Sequence, residues 1–352
     1  MAFDPTRPDF TTLGELSVVS NPAGGHGSPS DVMYPGGPQM DGGLLATGDP
    51  VPENAGPNGR RPEWLKVRVG AGSTYAGTKS IVRGGSLNTV CEEARCPNIG
   101  ECWALGTATI MILGSVCTRN CGFCAIDTGR PPVTDLDEPR RVAEAVRQMN
   151  LQHVVITMVA RDDLPDGGAE IVAETIRQIR LATPRTGIEV LISDLNGRER
   201  DIRTVVEAQP DILGHNVETV PRLQRPVRRR ARWDRSVFVL THAAEVAREI
   251  AFDQMVTKTG IMLGLGETWD EILEALGLLR DADVDVVTIG QYLRPSRKHL
   301  PLHKYYTPAE FMALRRIGLE MGFTHVQSGP LVRSSYHAAE QVPGRQSAAA
   351  AS

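Results

Sequence analysis

From residue 109 onward, the chain alternates short apolar, β-branched runs with longer amphipathic segments. The runs predict six strands, at Thr109–Leu113, Val154–Val159, Ile188–Ile192, Asp211–Gly214, Thr259–Leu263 and Val284–Ile289. Between them, segments such as Arg140–Met149 and Ala169–Leu181 have helical periodicity. This alternation indicates parallel βαβ units. Six units are too few for a closed eight-fold barrel, so we expect an α/β fold with an open, partial (β/α)6 barrel whose active face lies at the strand C-terminal ends.

The pattern divides the chain into four parts. Residues 1–60 are dense in Gly, Pro, Asn and Ser and are predicted to be a disordered arm, because such composition buries too little apolar area to offset ordering entropy. An N-terminal extension is expected at 61–107 and the barrel at 108–325. A C-terminal extension with a disordered tail is expected at 326–352.

Composition favours an enzyme that is not membrane-bound. The 352 residues are 41% hydrophobic and 23% charged, and the net charge of -4 gives no reason to expect nucleic acid or membrane as a partner. No apolar run approaches the roughly 18 residues of a membrane span. The first residues resemble neither a secretory nor a mitochondrial leader. We therefore expect a cytoplasmic protein.

All six cysteines form two consecutive triplets. The first triplet is Cys91, Cys96 and Cys102, spaced C-x4-C-x5-C, and the second triplet is Cys117, Cys121 and Cys124, spaced C-x3-C-x2-C. Three thiolates suit a cubane iron-sulfur cluster with one iron left for another ligand. Disulfides fit a cytoplasmic chain poorly, and structural zinc normally takes four Cys or His ligands. Buried inert thiols are unlikely to cluster so regularly.

The second triplet reads C-T-R-N-C-G-F-C and resembles the signature of radical S-adenosylmethionine (SAM) enzymes, with Phe123 before the last thiol. In that superfamily the open iron chelates the amino and carboxylate groups of SAM. The triplet follows the first predicted strand, which places it at the barrel mouth. The resemblance implies a partial barrel of the radical SAM type.

Longer motifs resemble the lipoyl synthase family. They are P-E-W-L-K-V-R at 62–68, T-V-C-E-E-A-R-C-P-N-I-G-E-C-W at 89–103, R-D-D-L-P-D-G-G at 161–168, H-N-V-E-T-V-P-R-L at 215–223 and G-P-L-V-R-S-S-Y-H-A at 329–338. The similarity spans about Pro62 to Ala338. It implies SAM and two 4Fe-4S clusters as cofactors, with the second triplet holding the radical cluster and the first triplet holding an auxiliary cluster.

The resemblance also implies a reaction and its partners. Lipoyl synthases are radical SAM sulfurtransferases that insert two sulfur atoms at C6 and C8 of a protein-bound octanoyl-lysine, with the auxiliary cluster as sulfur donor. The expected partners are octanoylated carrier domains of 2-oxoacid dehydrogenase acyltransferase subunits and of the glycine cleavage H protein. A reductant such as ferredoxin or flavodoxin is also expected.

Further site residues are expected from the R-S-S-Y motif and from the ends of predicted strands. In R-S-S-Y, the resemblance implies that Ser335 is the fourth ligand of the auxiliary cluster, with Ser334 as the alternative. The ordinary interpretation is that both serines are caps or turn residues. Arg333 is expected to support the same site. The candidate SAM contacts are Phe123, Asn216, Glu218, Gly264, Gly266 and Glu267. For the last three, a plain turn is the competing interpretation. Arg161, Asp162 and Asp163 are a further candidate group or a paired-charge loop.

Two departures from the family pattern concern charge. Arg228, Arg229, Arg230, Arg232 and Arg235 form a basic run that could dock an acidic carrier or simply face solvent. At Arg294 the family tends to have Gln, so a charge there must be paired or turned to solvent.

Other functions remain open at this point. They are another radical SAM sulfur-inserting enzyme such as a biotin synthase or a methylthiotransferase, a two-cluster electron carrier, and a zinc-binding module. The order of the two triplets and the R-S-S-Y motif favour the lipoyl interpretation.

Overall fold

An eight-stranded sheet forms the centre of the fold. The computed structural model describes residues 50–56, 59–66, 73–94, 96–104, 109–336 and 338. The described strands are β1 (Asn88–Thr89), β2 (Thr109–Ile112), β3 (Val116–Cys117), β4 (Asp127–Thr128), β5 (His153–Met158), β6 (Gly187–Leu191), β7 (Ile212–Gly214), β8 (Val256–Leu263), β9 (Val286–Gln291) and β10 (His325–Gly329).

The sheet order follows the chain, as successive βαβ units require. It runs β1-β2-β5-β6-β7-β8-β9-β10, while β3 and β4 form a separate pair. The short β1 is antiparallel to β2, and every other neighbouring pair in the large sheet is parallel. All six predicted strands are present, so the α/β prediction is confirmed. The pattern missed β10, because its sequence H-V-Q-S-G contains a single large apolar residue.

Helices connect the strands and cover the sheet. They are α1 (Ser73–Gly84), α2 (Val90–Glu93), α3 (Ile99–Ala104), α4 (Glu138–Met149), α5 (Ala169–Ala182), α6 (Glu199–Glu207), α7 (Gln224–Val227), α8 (Trp233–Glu249), α9 (Trp269–Asp281) and α10 (Pro308–Glu320). Helices α9 and α10 begin with capping boxes at Thr268 and Thr307, which satisfy backbone N–H groups that a helix start leaves unpaired. Among the described helices, none is long and apolar enough to cross a membrane.

The core lies against the parallel strands. Every residue of β2, β7 and β9 is buried. Such strands are covered on both faces, which explains their continuous β-branched runs. Aliphatic side chains of α4, α5 and α6 pack with β2, β5 and β6, and those of α9 and α10 pack with β8 and β9.

The packed region begins before the predicted boundary at residue 61. Glu53 forms a parallel bridge with Lys304. Its backbone N–H donates to the carbonyl of His303 at 2.9 Å, and its carbonyl accepts from the N–H of Tyr305 at 2.9 Å. These backbone hydrogen bonds tie the end of the predicted arm to the chain after β9. The rest of that arm, residues 1–49, and the predicted tail from residue 339 lie outside the described residues.

Candidate active site

Both cysteine triplets open into one cavity of about 580 Å³. Its wall is formed by the loops and residues at the carboxyl ends of β2, β5, β6, β7, β8 and β9, together with residues 332–336. The C-terminal ends of parallel strands share one edge of a sheet, and ligands bind there in folds of this kind. Two cysteine groups that are consecutive in sequence therefore face a common space.

Backbone contacts fix the loop of the second triplet from three directions. Thr118 donates through its N–H to the carbonyl of Ala160 at 3.0 Å, at the end of β5. Gly122 donates to the carbonyl of Val227 at 3.0 Å and accepts from the N–H of Leu300 at 2.9 Å. A Cβ on Gly122 would lie 2.7 Å from Cγ of Leu300, so this close approach needs glycine.

A buried ionic network lies beneath the same loop. Arg119 donates from Nε and Nη2 to both carboxylate oxygens of Asp162, at 2.9 and 2.7 Å. Its Nη2 also lies 2.7 Å from Oδ1 of Asp194, a side chain that is fully buried. Asp194 is bound on its other side by Arg235, with Nε 2.9 Å from Oδ2. The loop is thus anchored to residues that follow β5 and β6.

The segment from Arg294 to Leu300 covers the far side of the loop. Nε2 of His299 lies 2.9 Å from the carbonyl oxygen of Cys124. Since a carbonyl can only accept, Nε2 carries the proton, and Nδ1 accepts from the hydroxyl of Ser296 at 2.8 Å. Arg294 donates to the carbonyls of His299 and Arg297, at 3.0 and 2.7 Å. Its charge therefore braces this segment, and Arg294 does not line the cavity.

Short helices position the cysteines of the first triplet. Cys91 lies in α2, Cys102 lies in α3, and Cys96 lies between them with its N–H 2.9 Å from the carbonyl of Cys91. Trp103 is fully buried behind them and packs on Tyr75, with ring centroids 5.3 Å apart. This small aromatic layer supports the triplet away from the main core.

The C-terminal segment closes this side of the cavity. Nδ2 of Asn98 donates to the carbonyl of Leu331 at 2.8 Å, and the hydroxyls of Thr109 and Ser335 are 2.8 Å apart. The hydroxyl of Tyr336 donates to Glu101 at 3.2 Å. Ser335 and Ser334 both line the cavity with the cysteines, as does Arg333.

Burial opposes ionisation of the thiols. It raises the pKa of Cys91 and Cys124 to about 12 and raises the pKa of Cys96, Cys102 and Cys121 as well. These thiols become thiolates when a metal cation replaces the proton. Nε1 of Trp103 is buried without a hydrogen-bond partner among the described residues, and a metal-bound Cys91 sulfur nearby suits this donor.

The donor set of each triplet is three thiols. Within the described ranges, no group of three or more His, Cys, Asp or Glu side chains is arranged to hold one. Three thiolates suit a cluster with one iron left for another ligand, whereas structural zinc normally takes four Cys or His ligands.

Comparison with known proteins identifies the family. The Radical SAM superfamily model matches residues 111–279, and the model for the N-terminal domain of lipoyl synthase matches residues 47–96. A lipoyl synthase of Bacillus cytotoxicus is 56% identical over 284 residues, which are 80% of this chain and 94% of the relative. A lipoyl synthase of Bacillus mycoides gives the same values. The chain belongs to the lipoyl synthase family. Its cofactors are SAM and two 4Fe-4S clusters.

Solved structures are more distant from this lipoyl synthase family member. The crystal structure of methylornithine synthase is 16% identical with a TM-score of 0.46, over 62% of this chain and 70% of that chain. The family assignment therefore rests on the sequence relatives.

Three of the six candidate SAM contacts line the cavity: Phe123, Asn216 and Glu218. Glu218 has a left-handed backbone with φ 67°, and hydrogen bonds of 2.9 Å to Gly260 and Met262 hold it there. Strain of this kind is common where a side chain must point into a site. Burial raises the pKa of its carboxyl, which accepts a hydrogen bond from Nδ2 of Asn216 at 3.2 Å.

The structure does not bring Gly264, Gly266 and Glu267 into the cavity. The carboxylate of Glu267 accepts from the N–H groups of Gly264 and Leu265, at 2.5 and 2.9 Å. A Cβ on Gly264 would lie 2.4 Å from Nε2 of Gln291. These residues match the alternative interpretation of a plain turn, because the Glu267 carboxylate binds backbone N–H groups of the turn itself.

The basic run is divided by the fold. Arg228 is buried and donates to the carbonyls of Asn216 and Val217, at 2.8 and 3.1 Å. Arg235 contacts Asp194, and Arg232 pairs with Asp234 in solvent. Of the five arginines, only Arg229 and Arg230 are both exposed and at the cavity rim. A single docking patch of five arginines is therefore wrong.

Sequence reasoning missed three contributors to the site: Arg119, Thr109 and His299. Arg119 lies inside the C-T-R-N-C motif, where a buried cation between two cysteines was a usable signal. The ion pairs of Arg161 with Asp163 and of Asp162 with Arg119 match the paired-charge loop. Thr109 and His299 had no signal, because their partners Ser335 and Cys124 are distant in sequence.

Proposed function

We propose that this chain inserts two sulfur atoms at C6 and C8 of an octanoyl chain attached to a carrier lysine. The observation that supports it most is the shared cavity, which has both triplets and Ser335 on its wall. Between them lie apolar side chains suited to an acyl chain, including Met111, Met158, Met262 and Leu293. An electron carrier would need no such apolar space.

We assign the second triplet to the radical cluster and the first triplet, with Ser335, to the auxiliary cluster. When bound, SAM and the radical cluster supply the 5'-deoxyadenosyl radical that abstracts hydrogen, and the auxiliary cluster supplies sulfur. Ser335 is preferred to Ser334 because its hydroxyl is held by Thr109 at 2.8 Å. Residues 331–336 would then act as the closing segment of the C-terminal extension.

The remaining residues bind and orient. Glu218 offers a buried carboxylate to the ammonium or ribose end of SAM, and Asn216 fixes that carboxylate at 3.2 Å. Arg228 holds the Asn216 loop from behind through the Asn216 carbonyl. Phe123 and the apolar wall exclude water from the acyl chain, which protects a reactive radical from side reactions.

The test is anaerobic reconstitution with iron and sulfide, followed by SAM, a reductant and an octanoyl-lysine peptide. We expect a peptide mass increase from two sulfurs that replace two hydrogens, with formation of 5'-deoxyadenosine. SAM cleavage without sulfur insertion would point to another radical SAM enzyme. No cleavage by the loaded protein would favour an electron carrier.

For the partner, we propose an octanoylated carrier domain that docks at the Arg229 and Arg230 rim. Both side chains are exposed beside the cavity mouth, and an acidic carrier surface would complement them. A reducing compartment such as the cytoplasm suits the six free thiols. Ferredoxin or flavodoxin remains the proposed type of electron donor.

Charge reversal tests the docking rim. Arg229→Glu with Arg230→Glu should slow modification of an intact carrier more than modification of the short peptide, since the peptide lacks the acidic surface. Arg185→Glu with Arg248→Glu is the matched control, because both arginines are exposed before the amino ends of strands β6 and β8. Equal slowing of carrier and peptide would contradict docking at this rim.

A further inference from the structure

Thr109 links the first triplet to the closing segment. It begins β2, is buried, and is paired in register with Val155 of β5. Its Oγ1 lies 2.8 Å from Oγ of Ser335, and the two residues are 226 positions apart. Both residues line the cavity beside Cys91, Cys96 and Cys102. A rigid strand thus presents a hydroxyl to a residue in a turn.

The direction of this hydrogen bond follows from the proposed ligation. Two neutral hydroxyls can each donate or accept. A serine oxygen bound to iron has lost its proton and can only accept, so Thr109 must then be the donor. Such a bond to a charged acceptor is stronger than one between neutral groups.

We infer that Thr109 is a positioning residue that holds the Ser335 oxygen toward the first triplet. The inference rests on the proposed auxiliary site and adds a residue that the cysteine and R-S-S-Y motifs do not contain. Ser335 lies in a turn after β10, and its other neighbours in the closing segment are held by Asn98 and Glu101. Those contacts place the segment, while Thr109 contacts the ligand atom itself.

The experiment uses the full chain loaded with both clusters and with SAM, which caps the radical cluster. The rate of iron loss to a chelator then reports on the auxiliary site. Thr109→Val removes the hydroxyl at nearly constant shape and should speed this loss roughly tenfold or more, the size expected for a hydrogen bond to a charged group. Thr109→Ser should restore the parent rate. The Mössbauer signal of the serine-bound iron should change in Thr109→Val alone.

Thr157→Val is the matched control. Thr157 is also buried, lines the same cavity from β5, and donates to the carbonyl of Leu191 at 3.2 Å. Its substitution should leave the auxiliary iron unaffected. Formation of 5'-deoxyadenosine should continue in Thr109→Val, which would show that the chain folds and that its radical half works.

A double-mutant cycle separates this inference from alternatives. In a Ser335→Ala background, Thr109→Val should add nothing. An equal acceleration there would show that Thr109 acts on Cys91, whose sulfur its hydroxyl also faces, and would overturn the inference. A parent-like rate in Thr109→Val would overturn it too. If Ser335→Ala itself retains iron as the parent does, ligation by Ser335 fails, and the inference fails with it, while the radical half of the proposed function stands.

Discussion

The second triplet is anchored by a buried ion-pair network and by strand ends, whereas the first triplet is closed by single hydrogen bonds between distant parts of the chain. Arg119 joins two carboxylates beneath the second triplet, and His299 binds its backbone. Around the first triplet, Asn98 binds the Leu331 carbonyl, Thr109 binds Ser335, and Tyr336 binds the Glu101 carboxylate. In the proposed assignment, the radical cluster lies on the side anchored by the ion-pair network, and the auxiliary cluster lies on the side closed by residues 331–336.

Replacing each cysteine triplet in turn should have the largest effect and should separate SAM cleavage from sulfur insertion. Cys117→Ala, Cys121→Ala and Cys124→Ala together should abolish 5'-deoxyadenosine formation and sulfur insertion. The same change at Cys91, Cys96 and Cys102 should abolish sulfur insertion alone. Each variant should retain about half of the iron, since one cluster is assigned to each triplet. SAM cleavage and product mass are measured for both variants. Identical results for the two variants would contradict separate roles for the two triplets.

Gly290→Ala should damage the first site while sparing the second. A Cβ there would lie 2.1 Å from the carbonyl oxygen of Val332, so the closing segment must move. We expect loss of auxiliary iron and of sulfur insertion, with SAM cleavage retained. Gly277→Ala in α9 is the control, because nothing lies within 4 Å of its Cβ. It should stabilise the protein by about 0.5–1 kcal/mol. Equal iron loss from both cysteine sites would show that the two sites are not structurally independent.

Arg119→Gln should destabilise the ion-pair network beneath the second triplet. It leaves the fully buried Asp194 with Arg235 alone and Asp162 with only the exposed Arg230, at a cost of about 3 kcal/mol in the free energy of unfolding. Arg140→Gln removes an exposed pair with Asp137 and should lower the free energy of unfolding far less, because solvent screens the pair. Urea unfolding measures both. Similar losses would mean that the buried network contributes no more than a surface pair.

Lowering the pH should reduce the free energy of unfolding more gradually, through the buried His215. Burial lowers the pKa of His215 to about 4 from 6.5, and nearby Arg228 adds to this effect. The unfolded chain therefore binds the proton more tightly, and the contribution of His215 is complete above about pH 6.5 and lost as pH falls toward 4. The slope is at most about 1.4 kcal/mol per pH unit. Unfolding of His215→Gln at several pH values should lack this component, and an unchanged slope would contradict it.

Much of the fold could be predicted from local pattern, since continuous β-branched runs reported the buried parallel strands directly. The weakly apolar β10 could not, because it becomes a strand only by pairing with β9. The cysteine triplets were visible as spacing, and Asn216 and Glu218, which were chosen as strand-end residues, line the cavity with them.

Other parts of the site depend on contacts that no sequence window contains. Glu267 looked like a ligand-binding carboxylate, yet its own turn consumes it. Five neighbouring arginines looked like one surface, yet the fold takes two of them inside. Thr109 was an ordinary strand residue until the fold set Ser335 beside it.

The distance between Thr109 and Ser335 along the chain also orders events during synthesis. Ribosomes add roughly 5–20 residues per second, so the 226 residues between the two hydroxyls take about 11–45 seconds to make. During that interval the first triplet has emerged without the segment that closes it. That segment can therefore close the site only after translation has passed residue 335, so the proposed auxiliary site is completed late in synthesis.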